Sequence, residues 1–204
     1  MNQPTYRTLS GEHLAVVPWK NGAGLTTEIA CGEARSVDHD WAWRVSIAEV
    51  GASGPFSTFP GISRTICVIE GDGMDLRFDD GSTFALDPEQ PVHFDGGANA
   101  VGSLRDRPVR NFNVMVDRSV LQATLDIVHG ATERSLKNHP GELLLIHMLD
   151  GHCDVTTADQ TTDTLRTNAT IIVEGKNAIS VNFSSASRAA IVHLKACPSS
   201  TAQG

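Results

Sequence analysis

Trp41, Trp43, Val45 and Ile47 alternate with Ala42, Arg44, Ser46 and Ala48. A two-residue period excludes a helix, where neighbouring side chains on one face recur every three to four residues, and it specifies a strand with two different faces. The same alternation recurs. Met74, Leu76 and Phe78 are interleaved with Asp75 and Arg77, Asp80-Gly81 supplies a hairpin turn, and Phe84 and Leu86 return on the partner strand. From Val120 to Val128 a helix could be capped by Ser119 and stopped by Gly130, but Leu121, Ala123, Leu125 and Ile127 alternate strictly with Gln122, Thr124 and Asp126, which predicts a strand. Short strands punctuated by Gly, Asp and Asn predict an all-β chain with little helix, arranged as a sandwich or barrel.

A repeat sits on top of this pattern. Thr65-Ile66-Cys67-Val68-Ile69-Glu70-Gly71 matches Leu145-Ile146-His147-Met148-Leu149-Asp150-Gly151 at an offset of 80, with Val92 falling on Ile172 and Phe112 on Val192. So long a period predicts two like lobes rather than a solenoid. The division expected is 1–118 and 119–204, packed as one unit. The first copy carries His93, Asn111, Asn113 and Arg118 around its last strands, where the second carries mostly Ile, Val, Ser and Thr. The first lobe is therefore expected to bear the site and the second to support it.

The formal charge of −8 over 204 residues argues against nonspecific nucleic-acid binding, which depends on Lys and Arg neutralising phosphates. The longest apolar runs, such as Leu143 to Ile146, are too short to span a bilayer, and the first residues are polar. Cys31, Cys67, Cys153 and Cys197 form no Cys-x-x-Cys pair, so four reduced thiols and a cytoplasmic location are expected.

The segment with the most chemistry is Pro18-Trp19-Lys20-Asn21-Gly22-Ala23-Gly24-Leu25-Thr26-Thr27-Glu28-Ile29-Ala30. Gly22 and Gly24 allow a tight turn or a close approach, and the alternation after them reads as a strand. Metal binding needs converging imidazoles and a carboxylate, yet no two of the eight histidines are separated by one residue. No metal or other cofactor is expected, and His147 and His193 read as hydrogen-bonded, partly buried imidazoles. The Gly-x-Ser-x-Gly elbow and the nucleotide-binding glycine fingerprint are both absent. What remains is a polar constellation: Trp19, Lys20, Asn21, Glu28, Arg44, Ser46, His93, Phe94 and Asn113. Arg44 and Lys20 suit a carboxylate, Asn113 and Ser46 would give polar specificity, and Trp19 and Phe94 would be walls. Structural readings stand beside these. Arg44 could pair with Glu28 across the sheet, Trp19 could be core, and Asn111 and Asn113 could satisfy backbone groups. Phe56, Phe59, Pro60 and Gly61 read as a turn sealing one end of the first lobe.

The stretch 18–29, together with Trp43-Arg44-Val45-Ser46-Ile47-Ala48, Gly54-Pro55-Phe56-Ser57-Thr58-Phe59-Pro60-Gly61-Ile62-Ser63-Arg64, Val68 to Met74, Phe94-Asp95-Gly96 and Asn111 to Met115, resembles the HutD/Ves family of cupin-like bacterial proteins. The chain departs from that pattern at Ala23, where glycine is usual, and at Asn111, where an acid is expected. The resemblance implies a two-lobed cupin-like β-barrel, or bicupin, and an accessory or regulatory role in histidine utilisation. It also implies a small anionic ligand of the urocanate or formylglutamate class, and by analogy a homodimer, with no nucleic acid or membrane as partner. The alternative is a cupin enzyme, either an isomerase or hydrolase using His93 with Glu28 or a metal-dependent oxygenase.

Overall fold

In the computed structural model, residues 5–19, 22, 24–33 and 39–197 are described. They form four sheets stacked as layers. The outermost sheet of the first lobe has the order β5 (Gly54–Pro55), β10 (Ala100–Leu104), β7 (Met74–Phe78), β8 (Thr83–Leu86). It faces a six-stranded sheet of order β2 (Ala15–Pro18), β3 (Gly24–Glu33), β4 (Trp41–Val50), β11 (Val109–Asp117), β6 (Ile62–Glu70), β9 (Val92–Asp95). The second lobe begins with a five-stranded sheet: β1 (Thr5–Leu9), β17 (Thr170–Glu174), β14 (Leu143–Asp150), β19 (Arg188–Ala196), β12 (Leu121–His129). Its outer layer is β13 (Thr132–Asn138), β18 (Asn177–Phe183), β15 (His152–Thr156), β16 (Thr162–Arg166). All recorded strand ladders are antiparallel, and each lobe is a pair of facing sheets rather than a closed cylinder. The only helical element among the described residues is one 3₁₀ turn, Gly11–His13. The disputed segment is strand β12.

Three apolar layers hold the four sheets together. Val45, Ile47, Phe112 and Val114 meet Leu145, Ile172, Val192 and Leu194 between the lobes, so the two central sheets are covered on both faces. That is why β11 is buried along nearly its whole length, Asn111 and Asn113 included. Arg188 bridges the lobes: its guanidinium donates to Ile69 O (2.9 Å) and Glu89 Oε1 (3.2 Å) and lies 2.9 Å from Asp150 Oδ2. The first strand departs from the 1–118 grouping, because β1 pairs antiparallel with β17 and completes the second lobe's sheet.

The repeat is visible strand by strand, with corrected registers. Arg64 pairs with Met115, and Leu144, 80 residues on, pairs with His193, so β19 is offset from β11 by 78. Phe112 therefore corresponds to Ala190 rather than Val192. Ile66 pairs with Val92 and Ile146 with Ile171, so Val92 corresponds to Ile171 rather than Ile172. One residue matters here, because it moves a side chain to the other face.

His147 and His193 both form hydrogen bonds. His193 Nε2 lies 3.2 Å from Glu142 Oε2. His147 is 1% exposed between the lobes, with Nδ1 2.8 Å from Thr170 Oγ1 and Nε2 without a partner among the described residues. Burial first, and the charge of Arg110 second, lower its pKa to about 4.

Candidate functional site

A cavity of about 630 Å³, within the range of small-molecule sites, lies against the six-stranded sheet of the first lobe and is flanked by Pro55, Phe56, Ser57 and Phe59. β4 contributes Arg44, Ser46 and Ala48 to it; β6 contributes Arg64 and Ile66; β11 contributes Asn111, Asn113 and Met115. Each set has the two-residue spacing of one strand face, so alternation delivers these side chains to one wall. The second lobe is built differently at the equivalent place. Its matching positions are Leu144 and Ile146 on β14 and Ala189 and Ile191 on β19, and these fill an apolar core.

Arg64 dominates the electrostatics. It is 7% exposed, yet among the described residues no carboxylate lies within ion-pair distance of it. Its Nη2 donates to Asn113 Oδ1 (3.1 Å) and its Nη1 to Ser57 O (3.3 Å), while Nε has no partner among the described residues. Phe56, Phe59 and Phe94 surround the guanidinium at 5.5, 5.6 and 5.2 Å from their ring centroids. Such contacts favour the cation but do not neutralise it. Burial, and secondarily the positive charge of Arg44, lower its pKa to about 10, which leaves it charged at neutral pH. Arg44 differs in having a counterion: its Nε donates to Glu28 Oε2 at 2.7 Å.

The predicted residues therefore separate. Trp19, Arg44, Ser46 and Asn113 all line the cavity. Glu28 flanks it as the partner of Arg44. Asn113 positions rather than selects, because its Oδ1 accepts from Arg64 and its Nδ2 donates to Asn111 O at 3.2 Å. Phe94 packs under Arg64 in the apolar layer instead of forming a cavity wall. His93 is not a lining residue. It projects from the opposite face of β9, with Nε2 3.0 Å from Ser63 Oγ and Nδ1 3.1 Å from Thr65 Oγ1. Lys20 and Asn21 lie outside the described residues. Arg64 is the residue that reading by motif passed over. Its signal was an arginine in the apolar face of a strand, followed two and four residues on by Ile66 and Val68.

Trp19 is fixed from two sides. Its Nε1 donates to Thr26 Oγ1 at 2.8 Å, and its backbone closes the glycine turn through Trp19 N to Gly24 O (2.9 Å) and Gly22 N to Trp19 O (3.0 Å). Gly22 has φ +69°, a conformation that favours glycine. Gly24 is required for a different reason: a Cβ there would lie 2.2 Å from Glu49 O and 3.1 Å from Trp19 Cε3. Gly24→Ala is expected to cost about 1–3 kcal/mol of stability, because the clash is with backbone and a pinned ring. Thermal melting measures this, and an unchanged Tm would contradict the packing described.

Cupins commonly hold a metal, and the donor set here does not suit one. The cavity wall carries two guanidinium groups, which repel a divalent cation, and among the described residues neither imidazole nor carboxylate lines it. Among the described residues no group of three or more His, Cys, Asp or Glu is placed to hold a metal ion.

The layered arrangement is shared with solved structures such as the bacterial pirin YhhW from Escherichia coli (TM-score 0.66, 11% identity, 93% of this chain and 98% of that one), a likeness that shows fold alone. Fold and site together define a two-lobed protein of cupin-like fold with two arginines on the wall of a cavity in its first lobe. More similar proteins narrow the assignment. The HutD family model matches residues 12–191. An uncharacterized 21.2 kDa protein in the hutC 3′ region of Pseudomonas putida is 32% identical over 161 residues, 79% of this chain and 83% of that protein. Protein Ves of Citrobacter koseri is 34% identical over 110 residues, 53% of this chain and 56% of that protein. A conserved protein of unknown function from Pseudomonas aeruginosa PAO1 superimposes with a TM-score of 0.84 at 30% identity, covering 94% of this chain and 99% of that one. HutD from Pseudomonas fluorescens SBW25, solved in a formate condition, gives 0.80 at 28% identity over 95% and 100%. The chain belongs to the HutD family.

Proposed function

We propose that the first-lobe cavity binds a small carboxylate metabolite without a metal, and that the protein is a binding accessory or regulator linked to histidine utilisation rather than an enzyme. One observation carries this reading: Arg64 is a buried cation with no carboxylate partner among the described residues, on the wall of a cavity. A desolvated charge without a counterion is unfavourable. A carboxylate guest supplies that counterion, with the planar fork of Arg64 and the Nη groups of Arg44 as donors. Urocanate and formylglutamate represent the ligand class. The hutC-region relative and the HutD neighbour support the pathway link.

The isomerase or hydrolase alternative needs His93 acting with Glu28. Here His93 lies off the cavity wall and Glu28 is engaged by Arg44, so that pair does not face the cavity together. Calorimetric titration with urocanate and with N-formylglutamate tests the binding reading. Two charge-assisted contacts and ring packing correspond to micromolar affinity, about −8 kcal/mol. Absence of both heat and thermal stabilisation with either compound would overturn it.

A further inference from the structure

Resting on that reading, we infer that His39 and Trp41, neither of which lines the cavity, are positioning residues for the Arg64 guanidinium and act on it through segment 54–61. An arginine side chain has many rotamers, and one with no carboxylate to grip must be held by weaker contacts. Much of that hold comes from segment 54–61. Ser57 O accepts from Arg64 Nη1 at 3.3 Å, and the Phe56 and Phe59 rings lie 5.5 and 5.6 Å from the guanidinium carbon.

The ends of this segment are tied to the lobe, by the pairing of β5 with β10 and by Arg118 N donating to Gly61 O at 3.1 Å. Its middle is tied less. Phe56 N donates to Ala100 O (2.9 Å) and Phe59 N to Gly96 O (2.6 Å), but between them Ser57 and Thr58 donate no backbone hydrogen bond among the described residues. Pro60 has no N–H to give, so its carbonyl is the group by which its backbone can be held. His39 holds it, with Nε2 2.8 Å from Pro60 O. A carbonyl only accepts, so Nε2 carries the proton. The His39 ring stacks on Trp41, with centroids 5.4 Å and planes 20° apart, and Trp41 meets Phe59 at 6.4 Å and 52°. Contacts thus run unbroken from His39 through Trp41 and Phe59 to Arg64. Trp41 opens β4, the strand that carries Arg44 and Ser46 to the wall. One strand therefore sets one arginine directly and the other through an aromatic relay.

The test reads Arg64 first without a ligand and then with one. Arg64 Nε is buried, has no partner among the described residues and sits among the rings of Phe56, Phe59 and Phe94. In isotope-labelled protein its Nε–H signal should be displaced upfield by those rings and be absent from Arg64→Met. His39→Phe keeps a ring for Trp41 but removes the hydrogen bond, and Trp41→Leu removes the relay. Both should return the signal toward the ordinary arginine position. Both should also weaken urocanate and N-formyl-L-glutamate, measured by calorimetry, by about three- to tenfold, the cost of ordering one more side chain on binding. His39→Gln, whose side-chain amide can donate to Pro60 O, should keep signal and affinity. The His39 bond is exposed, so His39→Phe should lower Tm by no more than about 4 °C, which separates positioning from a general loss of structure. A signal unmoved in both His39→Phe and Trp41→Leu, or a loss in His39→Gln equal to that in His39→Phe, would overturn the inference. If neither carboxylate binds the unaltered protein, the binding reading falls. The Arg64 signal then decides the positioning alone, upholding it if displaced in the variants and refuting it if not.

Discussion

Arg64→Met is expected to abolish carboxylate binding and at the same time make the protein more stable. The two effects have one cause. Arg64 is 7% exposed and has no counterion among the described residues, so the folded chain bears its desolvation cost. Methionine keeps much of the volume among Phe56, Phe59 and Phe94 and removes the charge. Replacing buried charge by apolar groups of similar size typically stabilises by about 1–4 kcal/mol. The loss of the Asn113 and Ser57 hydrogen bonds and of the ring contacts offsets part of this, leaving a net gain of about 1–2 kcal/mol. For a chain of this size that raises Tm by several degrees. Binding should weaken at least about 100-fold, because the ligand loses its buried charge partner. Melting curves and calorimetry on one preparation read both. A variant that binds carboxylate normally would remove Arg64 from the site, and one that melts well below the parent would show its charge to be structurally compensated.

Acid should destabilise the fold through His147 before most carboxylates titrate. Its folded pKa of about 4 lies below the usual 6.5 because burial and Arg110 oppose the imidazolium. Between these values the unfolded chain takes up a proton that the folded chain refuses. The stability contribution is therefore complete above pH 6.5 and is lost as pH falls toward 4, amounting to about 3 kcal/mol. His147→Gln keeps an acceptor and donor for Thr170 but cannot protonate. Denaturant melts across that window should show a decline in the parent that is about 3 kcal/mol larger than in the variant. Parallel pH profiles for the two proteins would refute the assignment.

The strands were legible because each face of a sheet has its own solvent. Trp43, Val45 and Ile47 face the layer between the lobes, while Arg44, Ser46 and Ala48 face the cavity, and the two-residue period records that difference directly. The same logic separated the wanted residues of β4 and β11 from their neighbours. It failed for His93, which shares a short strand with Phe94 but points the opposite way. It also failed for Asn113, whose amide is committed to Arg64 and Asn111. No local pattern reports a hydrogen-bond partner 49 residues away.

The amino-acid order by itself determined the all-β class, the strand at Leu121–His129, the doubled architecture and the polar face that lines the first lobe, because these follow from periodicity and turn chemistry within short windows. Only the tertiary structure decided that Arg64 is a buried cation with no counterion among the described residues, that Glu28 belongs to Arg44, and that β1 completes the second lobe. Those outcomes depend on which strands pair and how the layers stack. Pairing and stacking bring together residues far apart in the chain and fix which charges are stripped of water, and no short stretch of sequence contains that information.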